Sequence, residues 1–230
     1  MKNHFLLMVL LGATLHAQQY AEPKSEPRLK FAPTAGFGYR LGMLSEEIPP
    51  DFEAYARNLK TGYSLGIDGT YFVKPQWGLG IKYLRFGSSN SIGNVQVTFG
   101  DGNSARGRIA DIVTIDFIGA AYSSITPLGN GKHLLIGNLA LGYLAYVNES
   151  LLVNRSVRIT GNTFGAALDF GYDYKISKRI RFGAQLGYAL GTLNKVAVLE
   201  NENLSNITFE DENRENLAFL TLGGGFRLSI

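Results

Sequence analysis

Eight stretches of alternating apolar and polar residues run from Lys30 to Ile230, and the connections between them follow a short, long, short, long order. In Leu59 to Val73 one parity reads Leu59, Tyr63, Leu65, Ile67, Tyr71, Val73 and the other Lys60, Ser64, Asp68, Thr70. Successive side chains of a strand point to opposite faces, so this segment has an oily side and a polar side. Eight such segments dispose of their oily sides together when the sheet closes on itself and stands in lipid.

The strands read as Lys30 to Leu44, Leu59 to Val73, Trp77 to Gly87, Asp111 to Ile125, Leu134 to Val147, Thr163 to Ile176, Ile180 to Thr192 and Leu217 to Ser229. The connections after strands two, four and six are turns: Lys74 to Gln76, Thr126 to His133 with Pro127, Gly129 and Gly131, and Ser177 to Arg179. The other connections are long and polar, and two of them look like extended hairpins. Val95 to Phe99 precedes the turn signal Asp101-Gly102, and Lys195 to Leu199 can face Ile207 to Phe209. The expected fold is all-β: an eight-stranded antiparallel up-and-down transmembrane β-barrel occupying residues 30–230 as one domain. An even strand number puts both termini on the periplasmic side.

Residues 1–17 read as a secretory signal peptide, with Lys2, an apolar run from Phe5 to Leu15 and a small residue at Ala17. That run of 11 residues falls short of the ~20 that a membrane-spanning helix needs. Residues 18–29, with Pro23 and Pro27, read as a flexible periplasmic lead-in. The absence of cysteine removes disulfides, thiolate metal sites, cysteine nucleophiles and an acylated N-terminal cysteine, so the chain is not a lipoprotein. Twenty-two basic and 19 acidic residues are scattered without a basic run, and no nucleic-acid partner is expected.

On the outward parity, Tyr39, Tyr63, Tyr83, Tyr143, Phe164 and Tyr188 would form an outer aromatic girdle, and Phe31, Tyr71, Trp77, Tyr174, Phe182 and Phe226 a periplasmic one. The inward parity collects Arg40, Asp68, Lys82, Asp116, Asp169, Asp173, Lys175, Arg181 and Arg227. Both signs are present. If a three-residue turn sets Val73 against Trp77, Asp68 lies opposite Lys82 and Arg181 lies diagonal to Asp173. An eight-stranded barrel is just wide enough for its own side chains, so these charges are expected to plug the lumen. Strand four fits least well, because Ile112, Ile118 and Tyr122 share the parity assigned to its lumen face.

Catalytic chemistry finds few carriers. His4 and His16 leave with the signal peptide, and His133 falls at a periplasmic turn, so no Ser–His pair assembles near the outer loops. Glu200, Glu202, Glu210, Asp211, Glu212 and Glu215 are read as a solvated acidic loop, with an acid-only or Ca2+-assisted site as the alternative. Gly36-Phe37-Gly38 and Gly223-Gly224-Gly225 lie inside strands with no helix to follow, which is not a phosphate cradle.

With these features the chain resembles the small eight-stranded outer-membrane barrels typified by the transmembrane domain of outer membrane protein A and by outer membrane protein X. The resemblance covers about Phe31 to Ile230. The closing segment Phe226-Arg227-Leu228-Ser229-Ile230 keeps that family's alternation but ends in Ile230 instead of an aromatic residue. The resemblance implies no enzyme activity, no cofactor and no metal. It implies location in the cell outer membrane, contact with membrane lipid, and a structural, envelope-integrity or surface-interaction role through protruding hairpins. An extracellular protein partner would bind through Ser88 to Ala110 and Leu193 to Asn216, and a monomer is favoured. Two alternatives stand beside it: a narrow pore for small solutes or ions, and a soluble lipocalin-like carrier with the apolar parity turned inward.

Overall fold

The computed structural model describes residues 28–42, 48–98, 102–200, 203–210 and 214–230. The expected signal peptide and nearly all of the expected lead-in lie outside the described residues, as do the stretch around Asp101 and the loop acids Glu202, Asp211 and Glu212. The elements are β1 (Leu29–Arg40), α1 (Pro50–Asn58), β2 (Thr61–Lys74), β3 (Trp77–Thr98), β4 (Ser104–Leu128), β5 (His133–Leu152), β6 (Arg155–Lys175), β7 (Ile180–Leu193), β8 (Lys195–Glu200), β9 (Asn203–Thr208), β10 (Glu215–Asn216) and β11 (Phe219–Ser229).

Eight of these strands close a ring in which every neighbour is antiparallel. β1 to β7 pair in sequence order, β11 pairs with β7, and β11 returns to β1. Closure leaves no open edge along the ring, which is what a sheet in hydrocarbon requires. The remaining strands extend it. β8 continues β7 past Asn194 and pairs with β6, and between Gly165↔Gly191 and Gly161↔Val196 three residues of β6 oppose four of the other strand. That extra residue is a bulge, which bends the strand as it leaves the ring. β9 then adds to β8, with Lys195 opposite Thr208 and Leu199 opposite Leu204.

The alternation resolves as an apolar exterior. Phe164 is 83% exposed, Phe37 76%, Leu141 66%, Ile81 63% and Leu222 61%, all on the outward parity. An inverted, lipocalin-like cylinder would bury these residues, so that alternative is excluded. All the expected girdle aromatics point outward, and Trp77 stacks on Tyr122 with ring centroids 6.1 Å apart.

Several boundaries differ from expectation. Helix α1 occupies part of the first long connection, which reads as loop in the sequence. Pro50 starts it, Asp51 and Glu53 lie in its first turn and Arg57 in its last, all favourable to the helix dipole. β2 consequently begins at Thr61 instead of Leu59. β1 ends at Arg40 and not at Leu44, and the last strand of the ring, β11, begins at Phe219 instead of Leu217, with the two-residue β10 before it. β3, β4, β5 and β6 run for 22, 25, 20 and 21 residues, far beyond the roughly 9–11 that cross a bilayer. They form a wall standing above the ring. The β2–β3 turn pairs Lys74 with Trp77, and a bulge between Phe72 and Lys74 restores the register.

Ile81 lies on the lipid-facing side, four residues along β3 from Trp77. Ile81→Arg should lower unfolding stability in lipid vesicles by about 2–4 kcal/mol. Leu204→Arg, on the wall hairpin where Leu204 is 68% exposed, should change it by less than about 0.5 kcal/mol. Urea titration of the folded, vesicle-inserted protein checks both.

Candidate functional site

The lumen is built in two storeys. In the lower one, β2, β3, β5 and β6 each contribute a polar side chain to a single centre. The register places Asp68 opposite Lys82. Lys82 Nζ lies 3.1 Å from Asp68 Oδ1 and 2.8 Å from Asp169 Oδ2, and Asn138 Nδ2 donates to the same Asp169 oxygen at 3.4 Å. β3 and β6 stand three strands apart in a ring of eight, so the Lys82–Asp169 bond spans the bore. Lys82 and Asp169 are each only 2% exposed.

Toward the turn end a second centre forms around Asp173. Arg227 Nη1 donates to Asp173 Oδ1 at 2.5 Å and Nη2 to Gln185 Oε1 at 2.7 Å. Arg181 faces Arg227 across β7 and β11, lies diagonal to Asp173 on β6, and donates to the Gly131 carbonyl at 3.4 Å. Lys175 sits opposite Arg181 and is half-buried. Between the two centres is a cavity of about 40 Å3, where the polar side chains of Thr70, Ser123, Asn138, Asp173 and Arg227 meet the apolar ones of Phe72, Ile125, Leu134 and Ile136.

The upper storey is apolar. Phe86, Ile115, Phe117, Leu144, Leu193, Leu217 and Phe219 fill the bore above Lys82, each fully buried. The Phe86 and Phe219 rings meet with centroids 5.6 Å apart, joining strands that lie three apart in the ring. Glycines make this crossing feasible. A Cβ at Gly38 would stand 2.4 Å from the Phe86 ring, and one at Gly165 or Gly191 about as close to Leu144 Cδ1, at 2.3 and 2.4 Å.

Helix α1 lies against the wall near the outer mouth. Tyr55 donates to the Asp111 carboxylate, which also accepts from Ser150 Oγ and, at 3.1 Å, from Asn148 Nδ2. Asn90 Nδ2 returns a bond to the Tyr55 carbonyl at 2.9 Å, and Ser88 Oγ one to the Leu59 carbonyl at 2.7 Å. Burial, then the bond to Asp111, pushes the Tyr55 phenol well above its ordinary range. Arg40 points inward at the same end and pairs with Glu215 at 2.6 Å, with its guanidinium 5.8 Å from the Tyr146 ring centroid.

Asp116 requires a correction. Sequence parity assigned it to the lumen, but Val113, Ile115 and Phe117 point inward from β4, so Ile112, Asp116, Ile118 and Tyr122 point outward. Asp116 instead accepts two bonds from Arg85, Nε at 2.7 Å and Nη2 at 2.9 Å, and one from Tyr83 at 2.6 Å. Arg85 is eight residues from Trp77, roughly 20 Å up a strand tilted by about 40°. That is near the top of an apolar band about 25 Å tall. The bidentate pair therefore sits at the outer boundary, beside the outer girdle.

The closed ring of strands has counterparts among solved structures. The protein is similar to a major outer membrane protein from Thermus thermophilus, with a TM-score of 0.53 and 14% identity over 87% of this chain and 99% of that one. It is also similar to Neisserial surface protein A, with a TM-score of 0.51 and 13% identity over 90% of this chain and all of that one. The fold is that of a small outer-membrane β-barrel. No protein-family model matches the sequence, and no curated protein does.

The upper storey of this barrel is hidden from strand parity because alternation alone does not tell an apolar plug from an apolar exterior. The signal was present in β4, where both parities are apolar: Val113, Ile115 and Phe117 on one, Ile112 and Ile118 on the other. Helix α1 and the Tyr55–Asp111 bond were likewise unread, hidden in a connection that looked like polar loop.

Lys82→Met strands two buried carboxylates and should destabilise the barrel by about 3–5 kcal/mol. The triple variant Lys82→Met with Asp68→Asn and Asp169→Asn should recover most of that loss, as read by urea unfolding in vesicles. For Tyr55, the folded phenol titrates above the unfolded one. Its contribution is complete below the ordinary phenol pKa of about 10 and declines as pH rises through it. Ultraviolet titration should therefore show a late phenolate component that is lost in Tyr55→Phe and moves to lower pH in Asp111→Asn.

Proposed function

We propose that the protein is a non-enzymatic barrel of the cell outer membrane that passes no solute and engages partners through the wall above the lipid. One observation carries the closed reading. The bore is crossed twice, by Lys82–Asp169 at one level and by Phe86–Phe219 at another, and all four residues are 0–2% exposed. An ion path would favour one sign of charge or a clear bore, whereas here opposite signs pair and aromatic rings meet above them.

The outward apolar band, the girdles at both strand ends and the contrast between turns and long hairpins support placement in an outer membrane with both termini periplasmic. Residues 1–17 as a signal peptide and 18–29 as a lead-in complete this reading. His133 packs against Tyr172 and Tyr174 at the turn end, while Glu200, Glu210 and Glu215 lie at the opposite end. That separation supports a role without enzymatic chemistry, cofactor or metal.

The interaction surface is the wall, and its sharpest feature is β9. Asn203 to Thr208 are all exposed, and among the described residues β9 pairs only with β8. Its outer side offers unpaired N–H and C=O groups to an incoming strand, a recognised way for sheets to bind extended protein segments. A monomer is the favoured state of the barrel itself.

In planar bilayers the purified protein should give no large, stable conductance steps, and sustained openings would replace the closed reading with that of a narrow pore. A photoreactive residue in place of Leu204 should form protein adducts at the cell surface, while one in place of Leu141 should form lipid adducts. Lipid adducts at both positions would remove the interaction role.

A further inference from the structure

The two ends of the barrel differ in charge. At the loop end cations are interleaved with acids: Arg40 pairs with Glu215 at 2.6 Å, Arg155 with Glu200 at 3.7 Å and Arg158 with Glu149 at 3.8 Å. At the turn end, the start of β1 and the three turns carry Arg28, Lys74, Lys132, Lys178 and Arg179, and among the described residues these segments contain no Asp or Glu; Glu22 and Glu26 precede Arg28 in the sequence, outside them. All five cations are exposed. They stand at four stations spread around the ring: the start of β1, the β2–β3 turn, the β4–β5 turn and the β6–β7 turn. A collar of one sign repels itself unless an anionic surface neutralises it.

The collar adjoins the lower girdle. Arg28 Nη1 lies 3.4 Å from the Tyr71 hydroxyl, Lys74 pairs in register with Trp77, and the Phe182 and Phe226 rings lie 5.2 Å apart nearby. Aromatic residues of this kind mark the headgroup level, so the neighbouring cations are held at the height of headgroup phosphates. Their spread around the circumference decides the occupant. A docked protein would cover one sector of the ring, whereas lipid surrounds all of it.

We infer that this collar binds anionic phospholipid headgroups in the leaflet at the turn end. The inference rests on the membrane placement proposed above. Lys74, Lys132, Lys178 and Arg179 supply the charge, and Arg28 is oriented by Tyr71.

Trp77 is the only tryptophan of the chain and stands beside Lys74, so it reports on the collar directly. The full-length protein, folded into phosphatidylcholine vesicles, is titrated with headgroup-spin-labelled phosphatidylglycerol or headgroup-spin-labelled phosphatidylcholine. The anionic label should quench Trp77 with roughly two- to fivefold higher apparent affinity, and the preference should shrink at high salt. It should fall to near unity in the variant Lys74→Gln with Lys132→Gln, Lys178→Gln and Arg179→Gln. The unheated gel mobility of that variant verifies that it has folded. Equal quenching of the wild type by both labels, or an undiminished preference in the folded variant, would overturn the collar while leaving the membrane placement intact. Quenching by neither label would overturn both. Co-sedimentation with an acidic polymer such as polyglutamate, combined with equal quenching by the two lipids, would assign the collar to a soluble polyanion and overturn the lipid proposal.

Discussion

A peptide group facing acyl chains has no water to bond, and this requirement governs the rest of the molecule. The pairing of β11 with both β1 and β7 meets it by removing the last two sheet edges. Once the ring is closed, the pleat leaves only two destinations for side chains, so every position along a strand is committed to lipid or to lumen. The number of strands then fixes the width of the interior. Eight leave just enough space for side chains to meet across it, which turns the lumen into a core.

That core differs from the core of a soluble sandwich in having two chemistries stacked along one axis. Lys82, Asp68 and Asp169 form a compact ionic centre with Asn138 beside it, and Asp173 and Arg227 form another below. Buried ion pairs of this sort are weak evidence for net stability, because desolvation offsets much of their attraction. Their alternative in a narrow bore is hydrocarbon, and the upper storey uses it, with Phe86, Phe117 and Phe219 excluding water above the charges. Small residues permit both solutions. Gly38, Gly165 and Gly191 yield the volume that the larger side chains occupy.

Much of this architecture is legible in the sequence because a period of two is hard to mimic. The outward sets of β2, β5, β6 and β7 and the opposition of Asp68 and Lys82 follow from parity and turn length, and the latter survives the β2–β3 bulge because the slip falls beyond it. Parity fails where both faces are apolar. In β4 the inward Ile115 and the outward Ile118 are chemically alike, so only the charge of Asp116 suggests a lumen face, and it suggests the wrong one. Length was underestimated for a similar reason: past the lipid boundary β3 to β6 no longer need an oily face, and their polar continuation reads as loop. Helix α1 is short and is held by single contacts such as Tyr55 to Asp111, which leave no periodic trace.

The unequal strand lengths give the molecule a front and a back. β1, β2 and β11 stop after 11 to 14 residues, while β3 to β6 continue for 20 to 25, so the rim is cut obliquely like a quill. An up-and-down ring is otherwise nearly uniform about its axis, and diffusion in the bilayer would present every azimuth equally. With a one-sided parapet, and on the interaction role proposed above, rotation about the membrane normal would become a functional coordinate: a partner approaching from outside would meet the wall over only part of a turn. Crowded neighbours that restrict spinning would therefore tune how often this side is offered, without touching the barrel's stability.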